Sequence, residues 1–170
     1  MNPDVKQSLS LVSEHDELDD LFQTHQRALL TRDLNFSLAM IKAFENALER
    51  HIEYENEVLL PLYAAKKAET EGATLPIFRA EHRKLREVCA KLTHSTAALN
   101  SSSDILASFS TLLDEEALFK GLFSHHRLRE ENHLFPRLDA CTTEWEREKA
   151  LEKHPGLLWN RSMSVDSPAR

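Results

Sequence analysis

The chain has 170 residues, 41% of them apolar and 29% charged, the make-up of a soluble globular domain with room for one hydrophobic core. A net charge of −7 without any basic stretch argues against nucleic acid or an anionic membrane as a partner, and no apolar run approaches the roughly 20 residues needed to span a bilayer. Three glycines and six prolines are too few for a many-turned β fold and favour long helices.

The opening MNPDVKQSLS has neither the basic nor the apolar region of a signal peptide. Cys89 and Cys141 form no C-x-x-C pair. A cytoplasmic location without disulfides is therefore expected, with Cys89 acting as a small buried hydrophobe.

Four long helices are expected in chain order. The first runs from about Ser10 to Thr31, with Leu11, Leu18 and Phe22 on one stripe. The second runs from about Asp33 to Lys67. The third starts at Thr74-Leu-Pro76, a capping residue with proline just inside the helix, and continues to about Leu99. The fourth follows the cap and turn residues Ser101-Ser-Ser-Asp104 and reaches about Leu138. Short connectors around Arg32-Asp33, residues 69–73 and residues 100–103 make successive helices antiparallel neighbours. The fold expected for residues 1–140 is thus an all-α, up-down-up-down four-helix bundle. Pro61 and Pro136 lack the N–H that bonds four residues back, so a kink or helix end is expected near each. Residues 141–170 are expected to form a short extra helix and a loose tail, with Trp159 docking on the bundle.

The most informative feature is a sentence written twice. His51-Ile-Glu-Tyr-Glu55 is followed by Pro61, and His126-Arg-Leu-Arg-Glu130 is followed by Pro136 at the same interval. Upstream of each copy stands a second matched piece, Glu14-His15-x-x-Leu18 and Glu81-His82-x-x-Leu85. The half-to-half match reads as an internal duplication of a helical hairpin.

Helix geometry brings these residues together. Antiparallel helices are level at positions that straddle their loop symmetrically. The midpoint of His15 and His51 is residue 33, in the first connector, and that of His82 and His126 is residue 104, at the third. Glu55 and His82 straddle the middle connector in the same way. Facing agrees with height: His15 and His82 take steps in apolar stripes, and the i,i+4 spacing stacks His51 on Glu55 and His126 on Glu130. Phe44, Leu48, Phe119, Leu122 and Phe123 are expected to line the remaining interior.

Four imidazoles and two carboxylates in an apolar interior are costly unless paired. Two buried His–Glu ion pairs would satisfy them, and so would metal. Imidazole and carboxylate without thiolate suit iron, manganese or zinc; six ligands exceed one tetrahedral zinc. Two histidines per metal with both carboxylates shared fits a dinuclear centre, and an oxygen bridge would leave each ion one open position for a small diatomic molecule or a peroxide. The ligand grammar also differs from the Glu-x-x-His of ferritin-like bundles.

With SEHDEL at 13–18, HIEYENEVLLP at 51–61, AEHRKLRE at 80–87 and HRLREENHLFP at 126–136, the chain resembles the hemerythrin-like HHE cation-binding domains over about residues 10–140. The resemblance implies that His15, His51, Glu55, His82, His126 and Glu130 ligate two iron ions in an oxo- or hydroxo-bridged centre, bridged by Glu55 and Glu130, with iron favoured over manganese or zinc. Oxygen-carrying hemerythrins have a fifth histidine one turn after the third, where this chain has Arg86, and an aspartate where it has Glu130. The four-His, two-Glu set is closer to di-iron proteins that repair iron–sulfur centres under stress and to sensing domains. The repair proteins usually carry a cysteine-containing N-terminal domain, which is not expected in the 14 residues before His15. The functions expected are binding or sensing of oxygen, nitric oxide or iron and redox state, or else cluster repair or peroxide and nitric oxide detoxification, or a metal-free interaction module.

Away from the six ligands, His133 is expected at the core boundary and His125 at a rim. His25, His94 and His154 are expected on the surface, Tyr54 at a boundary, and Glu14, Glu53, Glu57, Glu81 and Glu131 on solvated helix faces.

Overall fold

The computed structural model describes residues 8–154; the expected docking of Trp159 lies outside them. All regular structure among these residues is helical: α1 (Val12–Leu30), α2 (Leu34–Tyr54), α3 (Leu60–Ala65), α4 (Leu75–Ala98), α5 (Ile105–Arg129), α6 (Phe135–Cys141) and α7 (Glu144–Glu152). Two π-helical turns, Glu55–Leu59 and Glu130–Leu134, join α2 to α3 and α5 to α6 without a break. The described residues therefore form four long rods and a short fifth, α7.

Local chemistry fixes the rod boundaries. Asp33 and Asp104 cap α2 and α5 by accepting from Phe36 N–H at 3.1 Å and Ala107 N–H at 3.0 Å. Thr74 occupies the cap position of α4 as expected, but its side chain makes no capping bond; Glu69 instead accepts from Leu75 N–H at 3.0 Å. Arg32 and Lys67 take left-handed φ values of 61° and 53° just past the ends of α1 and α3, turning the chain where glycine commonly serves.

The expected disturbance at each proline is a π turn. Leu60 N–H bonds to Glu55 O, and Phe135 N–H to Glu130 O, five residues back instead of four. Pro61 and Pro136 stand next, at the first turn of α3 and α6, and neither has an N–H to continue the α ladder. The shift in register therefore begins at the repeated glutamate in both copies.

Four rods close on one another. α1 packs on α2, α2 on α4 and α4 on α5. α5 returns to α1 through the stacked rings of Phe22 and Phe119, with centroids 5.4 Å apart, and through the contact of Arg127 with Asp19 at 2.6 Å. The interior holds two apolar clusters. One contains Leu18, Phe22, Phe44, Leu85, Leu92 and Phe123; the other contains Leu11, Leu59, Tyr63, Phe78, Leu134 and Leu138. The four stripes pass from one cluster to the other at Leu11/Leu18, Leu48/Leu59, Phe78/Leu85 and Phe123/Leu134. Between those pairs sit His15, His51 with Glu55, His82, and His126 with Glu130. A polar layer is thus held between two apolar ones.

The short helix α7 covers the end of the rods. A capping box starts it at Thr143 and Glu146. Tyr54 Oη donates to Ala150 O at 3.2 Å, and Lys66 pairs with Glu146 at 2.7 Å. No helix among the described residues is long and apolar enough to cross a membrane.

Candidate metal centre

All six expected ligands meet. Their relative exposures run from 0 to 3%, and they divide into two groups that share both carboxylates: His15, His51, Glu55 and Glu130, and His82, His126, Glu55 and Glu130. Within each group the ligating atoms lie within 4.8 Å of one another. Each hairpin supplies one histidine pair, with ring centroids 5.0 Å apart for His15 and His51 and 4.7 Å apart for His82 and His126. The equal heights read from the connectors are what make this pairing.

Each imidazole is oriented from behind. His51 Nδ1 donates to Glu14 at 3.1 Å and His126 Nδ1 to Glu81 at 3.1 Å. His15 Nδ1 donates to Glu131 at 3.3 Å and His82 Nδ1 to Asn56 Oδ1 at 3.0 Å. Carboxylate and amide oxygens only accept, so each Nδ1 carries the proton. In the neutral tautomer each Nε2 then presents a lone pair to the interior.

Those Nε2 atoms are the decisive feature. Nε2 of His15, His51, His82 and His126, and both carboxylate oxygens of Glu55 and of Glu130, are buried without a hydrogen-bond partner. They approach one another closely: His126 Nε2 to Glu130 at 2.9 Å, His15 Nε2 to Glu130 at 3.1 Å, His82 Nε2 to Glu55 at 3.2 Å and His51 Nε2 to Glu55 at 3.5 Å. These are contacts without hydrogen-bond geometry. Eight acceptor atoms converging in a buried layer between two apolar clusters repel unless cations stand among them. The residues therefore fit the binding of metal cations, with nitrogen and oxygen donors and no sulfur.

Where protons are the only cations, the same field acts on them. Burial pushes the His126 imidazole down, but Glu130, Glu55 and Glu81 together outweigh it and hold the ring well above its ordinary range. Burial pushes Glu130 up, but His126, His15 and His82 together outweigh it and hold the carboxyl well below its ordinary range. His51 and His82 are raised and Glu55 is lowered on the same balance of burial against opposite charge.

Several residues expected at the surface belong to this layer. Glu14 is buried, and its carboxyl is lowered to about 2 because His154 and His51 together outweigh burial. Glu81, also lowered, is held by His126 and by Arg129 at 3.0 Å. Glu131 is half-buried between His15 and Arg127. The signal was in the repeat: glutamate precedes the lone histidine in both copies, and a polar residue, Asn56 or Glu131, follows the inward glutamate in both. Each of these side chains orients a histidine on a different helix. Asn56 and Glu131 lie inside the π turns, so straight-helix geometry does not give their direction.

Other expectations divide. Glu53, Glu57, His94 and His125 are exposed, and His133 is half-buried. His126, not His125, faces inward. Arg86 points away from the layer, binding Glu49 through two contacts of 2.7 Å on the exposed surface. Cys89 is buried in the apolar cluster and its thiol is pushed up to about 12 by desolvation. His25 is a clear correction. It is fully buried, with Nδ1 3.0 Å from Ser37 O and Nε2 3.0 Å from Glu116, which also accepts from Gln26 at 2.6 Å. The stripe Leu18, Phe22 and His25 carries it inward, and Glu116 on the facing rod makes it a tie between α1, α2 and α5.

One groove reaches toward the layer. It encloses about 420 Å³ between α1 and α5, with Phe22, Phe119 and Phe123 on its apolar side and Gln23, Lys120 and Arg127 on its polar side. The ring of Phe123 stands edge-on to His15 with centroids 6.1 Å apart.

A family model described as the hemerythrin HHE cation binding domain matches residues 73–154. No curated protein and no solved structure matches the chain.

Proposed function

We propose, from the match of residues 73–154 to the hemerythrin HHE cation-binding domain model and from the site geometry, that the chain is a non-haem di-iron protein that binds or senses oxygen, nitric oxide or the iron and redox state of its surroundings. In this reading the four long rods form an up-down-up-down four-helix bundle and hold one ion through His15 and His51, the other through His82 and His126, with Glu55 and Glu130 shared. The observation that carries the reading is the set of eight unsatisfied acceptor atoms behind four oriented imidazoles. Iron, when bound, would supply a redox-active centre able to take a small diatomic ligand.

This chain's residues do the rest. Glu14, Glu81, Glu131 and Asn56 fix the ring planes and keep Nε2 available for metal, the task such partners perform at metal sites generally. The two apolar clusters exclude water and strengthen every charge interaction in the layer. Phe123 stands between the groove and His15, so a small neutral molecule would pass that ring. A cytoplasmic location follows from the same reading, with Cys89 and Cys141 as free thiols.

The test exposes the ferrous-loaded protein to oxygen and to nitric oxide, with an absorption spectrum taken before, during and after removal of the gas. A reversible change supports binding or sensing. Net consumption of nitric oxide or peroxide, or transfer of iron to a damaged cluster, would support an enzyme or repair protein instead. No iron uptake would leave a metal-free interaction module.

A further inference from the structure

The two halves of the duplication hold their histidine-orienting glutamates differently. In the second half Glu81 bridges His126 Nδ1, at 3.1 Å, and Arg129 Nε, at 3.0 Å. Arg129 belongs to the same rod as His126, and it also reaches Gly72 O in the α3–α4 connector. In the first half Glu14 bridges His51 Nδ1, at 3.1 Å, but its second neighbour is the ring of His154. The residue equivalent to Arg129 in the first copy is Tyr54, which has no charge to offer. Its ring instead packs edge-on against His154 with centroids 4.4 Å apart. The hydroxyl of Tyr54 donates to Ala150 O in α7. Where the second hairpin supplies its own arginine, the first thus borrows a histidine from beyond the duplicated unit.

We infer that His154, two residues past the end of α7, is a positioning residue of the first half of the centre: through Glu14 it fixes the ring of His51, so that a residue outside the duplicated hairpins is a working part of the site. The inference rests on the proposed metal reading for its consequence in iron retention, and on geometry alone for the link from His154 to His51. Glu14 Oε1 faces His154 and Oε2 faces His51, so removing His154 frees one arm of the carboxylate while the other remains on the histidine. Loss of such a supporting partner typically costs on the order of 10–100-fold in metal affinity.

The experiment uses the full chain with His154→Ala, His154→Arg and Tyr54→Phe. In the metal-free protein, ring-nitrogen NMR reads the tautomer and environment of His51 and His126 directly. His154→Ala is expected to move the His51 signals and leave those of His126 in place; unchanged His51 signals would overturn the inference. In the iron-loaded protein, release to a chelator is followed. His154→Ala is expected to speed loss of one of the two ions by on the order of tenfold and leave the other unchanged. His154→Arg, which reproduces the second half, should restore both signals and retention. Tyr54→Phe removes only the bond to Ala150 O and keeps the ring against His154, so the His51 signals and iron retention should stay near wild type; an effect equal to that of His154→Ala would make the role one of helix packing and overturn the assignment. If the wild-type chain takes up no metal, the di-iron reading fails, and the His51 signals alone decide the link.

Discussion

Glu14 and His51, on facing helices α1 and α2, meet at 3.1 Å between carboxylate and Nδ1, and the duplicated pair Glu81 and His126 repeats the contact at 3.1 Å. The two contacts define the task of both glutamates. Each keeps a proton on the outer nitrogen of a histidine from the other helix of its hairpin, and so leaves the lone pair of the inner nitrogen facing the polar layer.

Loss of such a glutamate should weaken metal binding without unfolding the chain. Glu81→Ala is expected to lower affinity by on the order of 10–100-fold, and Glu131→Ala to act similarly through His15. Competition against a chromophoric chelator measures this. Circular dichroism of both variants should stay close to the wild-type spectrum.

The pH dependence should differ in sign between metal-free and metal-loaded protein. His51 and His126 are raised above their ordinary value of about 6.5 in the folded state. A raised imidazole contributes stability that is fully present below the unfolded value and is lost as pH rises through the folded one. The metal-free chain should therefore become less stable as pH climbs above about 6.5. Metal needs the deprotonated Nε2, so its affinity grows with pH. The gain in Tm on adding metal should widen from pH 6 to pH 8, measured by thermal melts with and without metal.

His25 should prove structural. His25→Ala removes one partner of the buried Glu116 and is expected to cost on the order of 3 kcal/mol, read from urea unfolding, with metal stoichiometry retained. His94→Ala, at an exposed position, should change neither quantity.

Phe123 lines the groove and stands edge-on to His15. Phe123→Ala should lower stability by about 3–5 kcal/mol, as for a large core truncation, and raise the rate at which nitric oxide reaches the ferrous protein. Stopped-flow absorbance separates that rate from the equilibrium affinity, which should change less.

Much of this arrangement was legible in the sequence because it depends on period and symmetry. The i,i+4 pairs, the apolar stripes and the symmetric distances to the connectors brought His15, His51, Glu55, His82, His126 and Glu130 to one level. Helix ends followed from Asp33, Asp104 and Thr74-Leu-Pro76 to within a few residues. What escaped depended on contacts between helices. Glu14 and Glu81 each sit one residue from an inward histidine, a rotation of about 100°; a straight-helix reading put them at solvent, whereas the facing helix offers each an imidazole. Asn56 and Glu131 turn inward within π turns, which change the angular step. His25 lay on a legible stripe, but its partner Glu116 is 91 residues away and had no motif to announce it. The proline disturbance was expected; its form, a π turn opening at the glutamate, needed the backbone bonds of Leu60 and Phe135.

The central claim is best tested by metal content and absorption after anaerobic loading with ferrous iron, followed by air, in the wild type and in His51→Ala and Glu130→Ala. The account predicts about two irons per wild-type chain, near-ultraviolet bands appearing on oxidation, and iron well below that level in both variants. A wild-type chain without iron, or full iron retention in both variants, would contradict it.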